Sequence, residues 1–139
     1  MMKVLILCTG NSCRSQMADG LLSSFSNNIK VYSAGTHPEV VNPYAIKVMA
    51  SIGIDISNNS SNHVSEYTHI DFDYVFTVCD NAKELCPIFP QAKEIIHYNF
   101  IDPAKATGTE QEKLNVYTEV RDQLKDYFML FIQNILSNK

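Results

Sequence analysis

The stretch Lys3-Val4-Leu5-Ile6-Leu7-Cys8-Thr9-Gly10-Asn11-Ser12-Cys13-Arg14-Ser15-Gln16-Met17 decides the fold. Its apolar run, Val4 to Leu7, is too short for the core of a signal peptide and far too short to span a membrane. It reads as a strand, Lys3 to Leu7, buried on both faces. Met17, Leu21, Leu22 and Phe25 then fall on one helical face. The residues between, Cys8 to Ser15, form a loop that leaves a strand and enters a helix.

Such a loop aims successive backbone N–H groups inward, and the helix N-terminus adds partial positive charge, so it is a nest for an anion. Thr9, Gly10, Asn11, Ser12, Cys13, Arg14 and Ser15 are the expected oxyanion-binding residues. Gly10 is expected to supply backbone angles that other residues resist. Arg14 can grip an oxyanion through two parallel hydrogen bonds. The same field favours the thiolate of Cys8, the nucleophilic form, and Ser15 can donate to that sulfur. The plainer reading of Cys8 is a small buried hydrophobe at a strand end. The spacing Cys-x5-Arg arises by chance in many chains, and its placement between strand and helix gives it weight. No Gly-Lys-Ser/Thr follows Gly10, which excludes a Walker-type nucleotide loop.

Working outward, Asn27-Asn28 ends the first helix and Ile29 to Ser33 reads as a second strand, with Ala34-Gly35 turning the chain. Asn42-Pro43 is an N-cap followed by proline at the first helical position, and Gly53 stops that helix. Asn58 to Asn62 is a polar loop. Tyr74 to Val78 is a third strand, Asp80 to Leu85 a short helix stopped by Pro87, and Glu94 to Tyr98 a fourth strand. A polar connection covers 99–112. Val116, Val120, Leu124, Phe128, Phe131 and Ile135 then mark one long amphipathic helix whose stripe is core. The alternation of strands and helices predicts an α/β fold: a single domain over residues 1–139, with a four-stranded parallel sheet and helices on both faces. Its binding site lies beyond the carboxyl ends of the strands.

Composition sets the outer bounds. Of 139 residues, 45% are apolar and 19% charged, a globular balance, and the net charge of −4 argues against nucleic acid or an anionic membrane as partner. The protein is expected to be cytoplasmic, where its four cysteines are thiols most of the time.

Cys79 ends the third strand and Cys86 follows seven residues later. Strand ends share one rim, so Cys8 and Cys79 can approach. Seven residues of α-helix span about 10.5 Å, whereas a disulfide needs Cα atoms within about 7 Å. A Cys79–Cys86 bond therefore requires a loop, or a helix that unwinds on oxidation, and the latter is expected. The cysteine spacings do not match common zinc modules. Cys13, at the helix start, reads as structural. Asp102-Pro103 lies past the fourth strand on the same rim. There a carboxyl can protonate a leaving oxygen, or simply form an Asx turn. Histidines 37, 63, 69 and 97 show no triad or ligand spacing and read as surface or structural residues.

With Cys8 to Ala18, Val31 to Gly35, Asn42-Pro43, Ile54 to Ser57, Val78-Cys79, Cys86-Pro87, Asp102-Pro103 and Val120 to Asp122, the chain resembles the thioredoxin-coupled arsenate reductases, which share the low-molecular-weight protein tyrosine phosphatase fold. The resemblance covers essentially the whole chain. It implies arsenate as substrate, Cys8, Arg14, Cys79, Cys86 and Asp102 as catalytic residues, thioredoxin as reductant, no tightly bound cofactor, and a monomer. It implies a relay: Cys8 attacks arsenic while Asp102 protonates the leaving hydroxide, Cys79 attacks the adduct, and Cys86 then attacks Cys79. Some relatives hold potassium where this chain has Asn11, Asp19, Ser33 and Asn62. Here Asp19 replaces a family Glu and Asn62 a family Asp, which removes a charge. The alternative is a phosphatase working through a Cys8 phosphoenzyme. Such enzymes usually carry aromatic residues after Asp-Pro, where this chain has Ala104-Lys105-Ala106, and many carry Pro where it has Gln16. A redox or oxyanion sensor without turnover is a third class, with no supporting element in the sequence.

Overall fold

Strand β1, Met2–Cys8, lies between two parallel neighbours, β2 (Ile29–Gly35) and β3 (Phe72–Thr77), and β4 (Ala92–His97) completes the order β2-β1-β3-β4. In this computed structural model residues 1–79 and 92–137 are described. Cys86, the expected helix Asp80 to Leu85 and its stop at Pro87 lie outside the described residues. The inner position of β1 explains its uninterrupted apolar run, since both faces need covering and Val4 to Leu7 are fully buried.

The two faces are covered differently. Val4, Ile6 and Cys8 face a core built with helices α1 (Arg14–Phe25), α2 (Pro43–Ala50) and α3 (Glu110–Ser137). Its centre is Phe76, whose ring lies 4.8–5.0 Å from those of Phe131 and Phe128. Truncating such a buried ring costs about 3–5 kcal/mol. Leu5 and Leu7 face the other side with Ala34, Phe72 and Val75. There the 3-10 helix Val64–Tyr67 and the residues around it supply Val64, Tyr67 and Ile70. The fold is α/β, as the alternation of elements predicts, and no described helix is long and apolar enough to cross a membrane.

Local chemistry sets the ends of these elements. Asn42 caps α2, its Oδ1 accepting from the N–H groups of Tyr44 (2.8 Å) and Ala45 (3.4 Å), and Pro43 follows at the first position. Gly53 closes that helix with φ of +82°: its N–H donates to Ala50, and that of Ile54 to Met49, in a Schellman motif. Several boundaries differ from expectation, β3 and β4 each beginning two residues earlier than expected. Ala34 and Gly35 continue β2 rather than turn, because Gly35 pairs with Cys8 across the ladder. The connection 99–112 contains a 3-10 helix, Pro103–Lys105, and the first turn of α3. That turn begins in a capping box, with Glu112 N–H donating to Thr109 Oγ1 and Thr109 N–H to Glu112 Oε1, both at 3.1 Å. The 3-10 helix at Val64 carries no apolar period, and it forms because the second face of the sheet needs a cover.

The chain runs from β1 to β2 on one side and returns across β1 to β3 on the other. The carboxyl ends of β1 and β3 therefore flank the switch point of the sheet, where α/β folds open a crevice.

Candidate active site

Cys8 is the last residue of β1 and is almost fully buried. Its Sγ lies 2.9 Å from Ser15 Oγ and accepts the Asn11 backbone N–H at 3.2 Å. The left-handed backbone of this loop falls on Asn11, with φ of +47°, and not on Gly10. Asparagine tolerates that region, and tertiary bonds hold it there: Asn11 Nδ2 donates to Ser15 Oγ (2.7 Å), and Oδ1 accepts the Asn62 N–H (2.9 Å). Its carbonyl accepts from Gln16 Nε2 (3.1 Å) and Ser61 Oγ (2.7 Å). Gln16 also donates to Ser60 O.

Helix α1 starts without a side-chain cap at Cys13. Its N-terminal end adjoins a cavity of about 260 Å³ whose lining includes Cys8, Thr9, Gly10, Ser12, Cys13 and Arg14. An uncapped N-terminus favours an anion. Arg14, buried at 3% exposure, donates from Nη1 to Phe100 O at 3.1 Å, and its Nη2 stands 3.7 Å from Asp102 Oδ2. Asp102 makes the expected turn, its Oδ1 accepting from Ala104 N–H at 3.0 Å, and its Oδ2 faces Arg14. Cys13 is a free thiol 3.8 Å from Tyr117 OH, and burial pushes it up to about 11. It is therefore protonated near neutrality.

Cys79 follows β3, one residue past Val78, whose N–H donates to Leu7 O at 2.9 Å. It therefore leaves the sheet beside the end of β1. It is fully buried and disulfide-bonded, whereas Cys8 is a free thiol. Cys86 lies outside the described residues.

Sequence reasoning missed several residues of the site. His37, Glu39 and Lys105 also line the cavity. His37 and Glu39 arrive because their N–H groups donate to Thr9 O and Gly10 O. No motif marks them, since their approach depends on how loop 36–42 docks. Gly35 lies under the Cys8–Ser15 loop, where an added Cβ would stand 2.4 Å from Thr9 O. Apart from the His37 imidazole, no aromatic side chain lines the cavity among the described residues.

The four residues suggested for potassium are close together but satisfied by protein partners. Ser33 Oγ donates to Asp19 Oδ2 (3.1 Å), Asn62 Oδ1 accepts from Ser60 Oγ (3.2 Å), and Asn11 is bonded as above. Asp19 is the one carboxylate among the four. Burial instead raises the Asp19 carboxyl from 3.8 to about 6, against the pull of Ser33 and Ser23. The folded state thus holds a proton there that the unfolded chain releases, and this contribution to stability is lost as pH rises from about 4 through 6. Asp19→Asn is expected to gain on wild type by up to roughly 3 kcal/mol across that range. Urea denaturation at several pH values measures the gap, and a gap that stays constant contradicts the assignment.

The comparisons with known proteins agree with this geometry. The model of the family "Low molecular weight phosphotyrosine protein phosphatase" matches residues 3–138. An arsenate reductase of Halalkalibacterium halodurans is 46% identical over 122 residues, covering 87% of this chain and 88% of that protein. A solved arsenate reductase in its oxidized state superposes with a TM-score of 0.81 at 31% identity, over 97% of this chain and 99% of that one. Another in a phosphate binding state gives 0.78 at 31% identity, with the same coverage. The chain belongs to the low molecular weight phosphotyrosine protein phosphatase family, on the branch of the arsenate reductases.

Proposed function

We propose that this protein reduces arsenate to arsenite through a relay of Cys8, Cys79 and Cys86, with thioredoxin as the final reductant. Arsenate sits in the Cys8–Ser15 loop, held by backbone N–H groups and Arg14. The Cys8 sulfur attacks arsenic, and Asp102 protonates the departing hydroxide. Cys79 then attacks the Cys8 sulfur, and the S–As electron pair stays on arsenic, which leaves as arsenite. Cys86 attacks Cys79 in the Cys8–Cys79 disulfide and frees Cys8. Thioredoxin reduces the Cys79–Cys86 bond that results.

The observation that carries this reading is Cys79, which is buried and disulfide-bonded beside the strand that ends in the free Cys8 thiol. A phosphatase needs no second thiol there. The cavity supports the same reading, because no aryl platform lines it among the described residues, which suits a small oxyanion better than phosphotyrosine.

The test is arsenate-dependent NADPH consumption with thioredoxin and thioredoxin reductase, for wild type, Cys79→Ser and Cys86→Ser. Wild type turns over and both variants stall after at most one cycle. Hydrolysis of p-nitrophenyl phosphate without arsenate turnover, indifferent to both substitutions, would establish a phosphatase instead.

A further inference from the structure

We infer that the Glu39 carboxylate makes this cavity select tetrahedral oxyanions that still carry a proton, such as arsenate and phosphate, against those that carry none, such as sulfate. The inference rests on the oxyanion site of the reading above. Loop 36–42 runs along the Cys8–Ser15 loop and is pinned to it. The N–H groups of His37, Glu39 and Asn42 donate to Thr9 O (2.9 Å), Gly10 O (2.8 Å) and Ser12 O (3.0 Å). The Ser61 hydroxyl donates to both Glu39 O and Asn11 O. Residue 39 is therefore held through its N–H and its carbonyl alike. Its side chain leans over Gly10: a Cβ at residue 10 would lie 3.6 Å from Glu39 Oε2 and 3.7 Å from Cδ. There it lines the cavity of about 260 Å³ together with Cys8, Arg14 and Asp102.

The two carboxylates of the lining differ in their partners. Asp102 Oδ1 accepts from Ala104 N–H at 3.0 Å, and its Oδ2 faces Arg14 at 3.7 Å. The Glu39 carboxylate has no hydrogen-bond or ion-pair partner among the described residues. A carboxylate only accepts hydrogen bonds. A bare oxyanion oxygen meets it as like charge, which costs affinity. An oxyanion that keeps an O–H donates to it instead, in a charge-assisted bond. Attraction to one ligand and repulsion of its near-isostere together make specificity.

The other titratable groups of the lining do not draw this distinction. Arg14 and Lys105 attract any anion, and His37 does so when protonated. Cys13 is protonated near neutrality, and Cys8 is the nucleophile. Near neutral pH arsenate and phosphate keep a proton on at least one oxygen, whereas sulfate, of nearly the same shape, keeps none. Glu39 holds the hydroxyl of the bound oxyanion without removing its proton, and Asp102 is left to protonate the departing hydroxide.

The experiment is calorimetric titration of the fully reduced protein with sodium phosphate and with sodium sulfate, near neutrality and at equal ionic strength. Glu39 is exposed, so water tempers the effect, and wild type is expected to bind phosphate at least roughly tenfold more tightly than sulfate. Glu39→Gln keeps the backbone bonds and gains an amide that donates to a bare oxygen. In that variant sulfate binding tightens roughly tenfold while phosphate stays within about threefold, so the preference collapses. Lys105→Gln changes the charge of the same cavity without touching a proton acceptor, and it weakens both anions alike. Equal binding of the two anions by wild type overturns the inference. So does an unchanged preference in Glu39→Gln, because a carboxylate that merely repels anions releases both equally. A collapse of the same size in Lys105→Gln overturns it as well. If wild type binds neither anion, the oxyanion site itself fails and this inference falls with it. Selectivity that behaves as described, in a protein that does not turn over arsenate, overturns the reductase reading and leaves the role of Glu39 standing.

Discussion

Cys8→Ser is expected to abolish turnover with arsenate and with p-nitrophenyl phosphate alike, by roughly 10⁴-fold or more, on the scale of losing a nucleophile. The reason is chemical. A serine hydroxyl in this loop has no general base among the described contacts of Cys8, whose sulfur meets the Asn11 N–H and the Ser15 hydroxyl. The fold should survive, because an oxygen can accept the same bonds and the volume changes little. Phosphate binding should survive too, because Arg14 and the loop N–H groups remain. Calorimetric titration with phosphate, beside both assays, tests all three points. Retained turnover above about 1% would remove Cys8 from the centre of the mechanism. The contrast with Cys79→Ser adds meaning, since that variant should keep ester hydrolysis and lose only arsenate turnover.

Gly35→Ala is expected to lose about 100-fold in activity and about 2–3 kcal/mol of stability, although residue 35 touches no substrate. Gly35 pairs with Cys8 at the end of the β1–β2 ladder, and its N–H donates to Asn62 O at 2.9 Å. An added Cβ would stand 2.4 Å from Thr9 O, 2.8 Å from Cys8 O and 3.0 Å from Asn11 N. All three are backbone atoms of residues 8–11, so no flexible side chain can yield. The loop must shift, and the shift reaches Asn11, whose N–H donates to the Cys8 sulfur. Thermal unfolding and both assays measure the effect. Near-normal activity with unchanged stability would show that the loop tolerates the displacement.

These two positions differ in how far the sequence reveals them. Cys8 is legible because its chemistry is local: strand, loop and helix are contiguous, and Arg14 and Ser15 follow within one turn. Gly35 is misread as a turn because the need for glycine comes from a loop some 25 residues earlier in the chain. The left-handed residue shows the same limit. Glycine at position 10 invites that assignment, but bonds from Asn62, Ser61 and Gln16 place it on Asn11. His97 reads as a surface or structural histidine; it is exposed, and strand register sets it against Thr77.

By itself the sequence determined the α/β order, the parallel sheet built around β1, the loop from Cys8 to Ser15 between strand and helix, and the placement of Cys79 and Asp102 past the strand ends. Hydrophobic period and strand–helix alternation are properties of neighbouring residues, so they can be read along the chain. Only the tertiary structure decided that Arg14 reaches Phe100 and Asp102, that His37, Glu39 and Lys105 join the cavity lining, and that the half-buried Asp19 meets Ser33. Those outcomes depend on strand order and register, which bring together groups far apart in sequence. Burial then acts on them, shifting the Asp19 and Cys13 protons in ways that residue type alone does not encode.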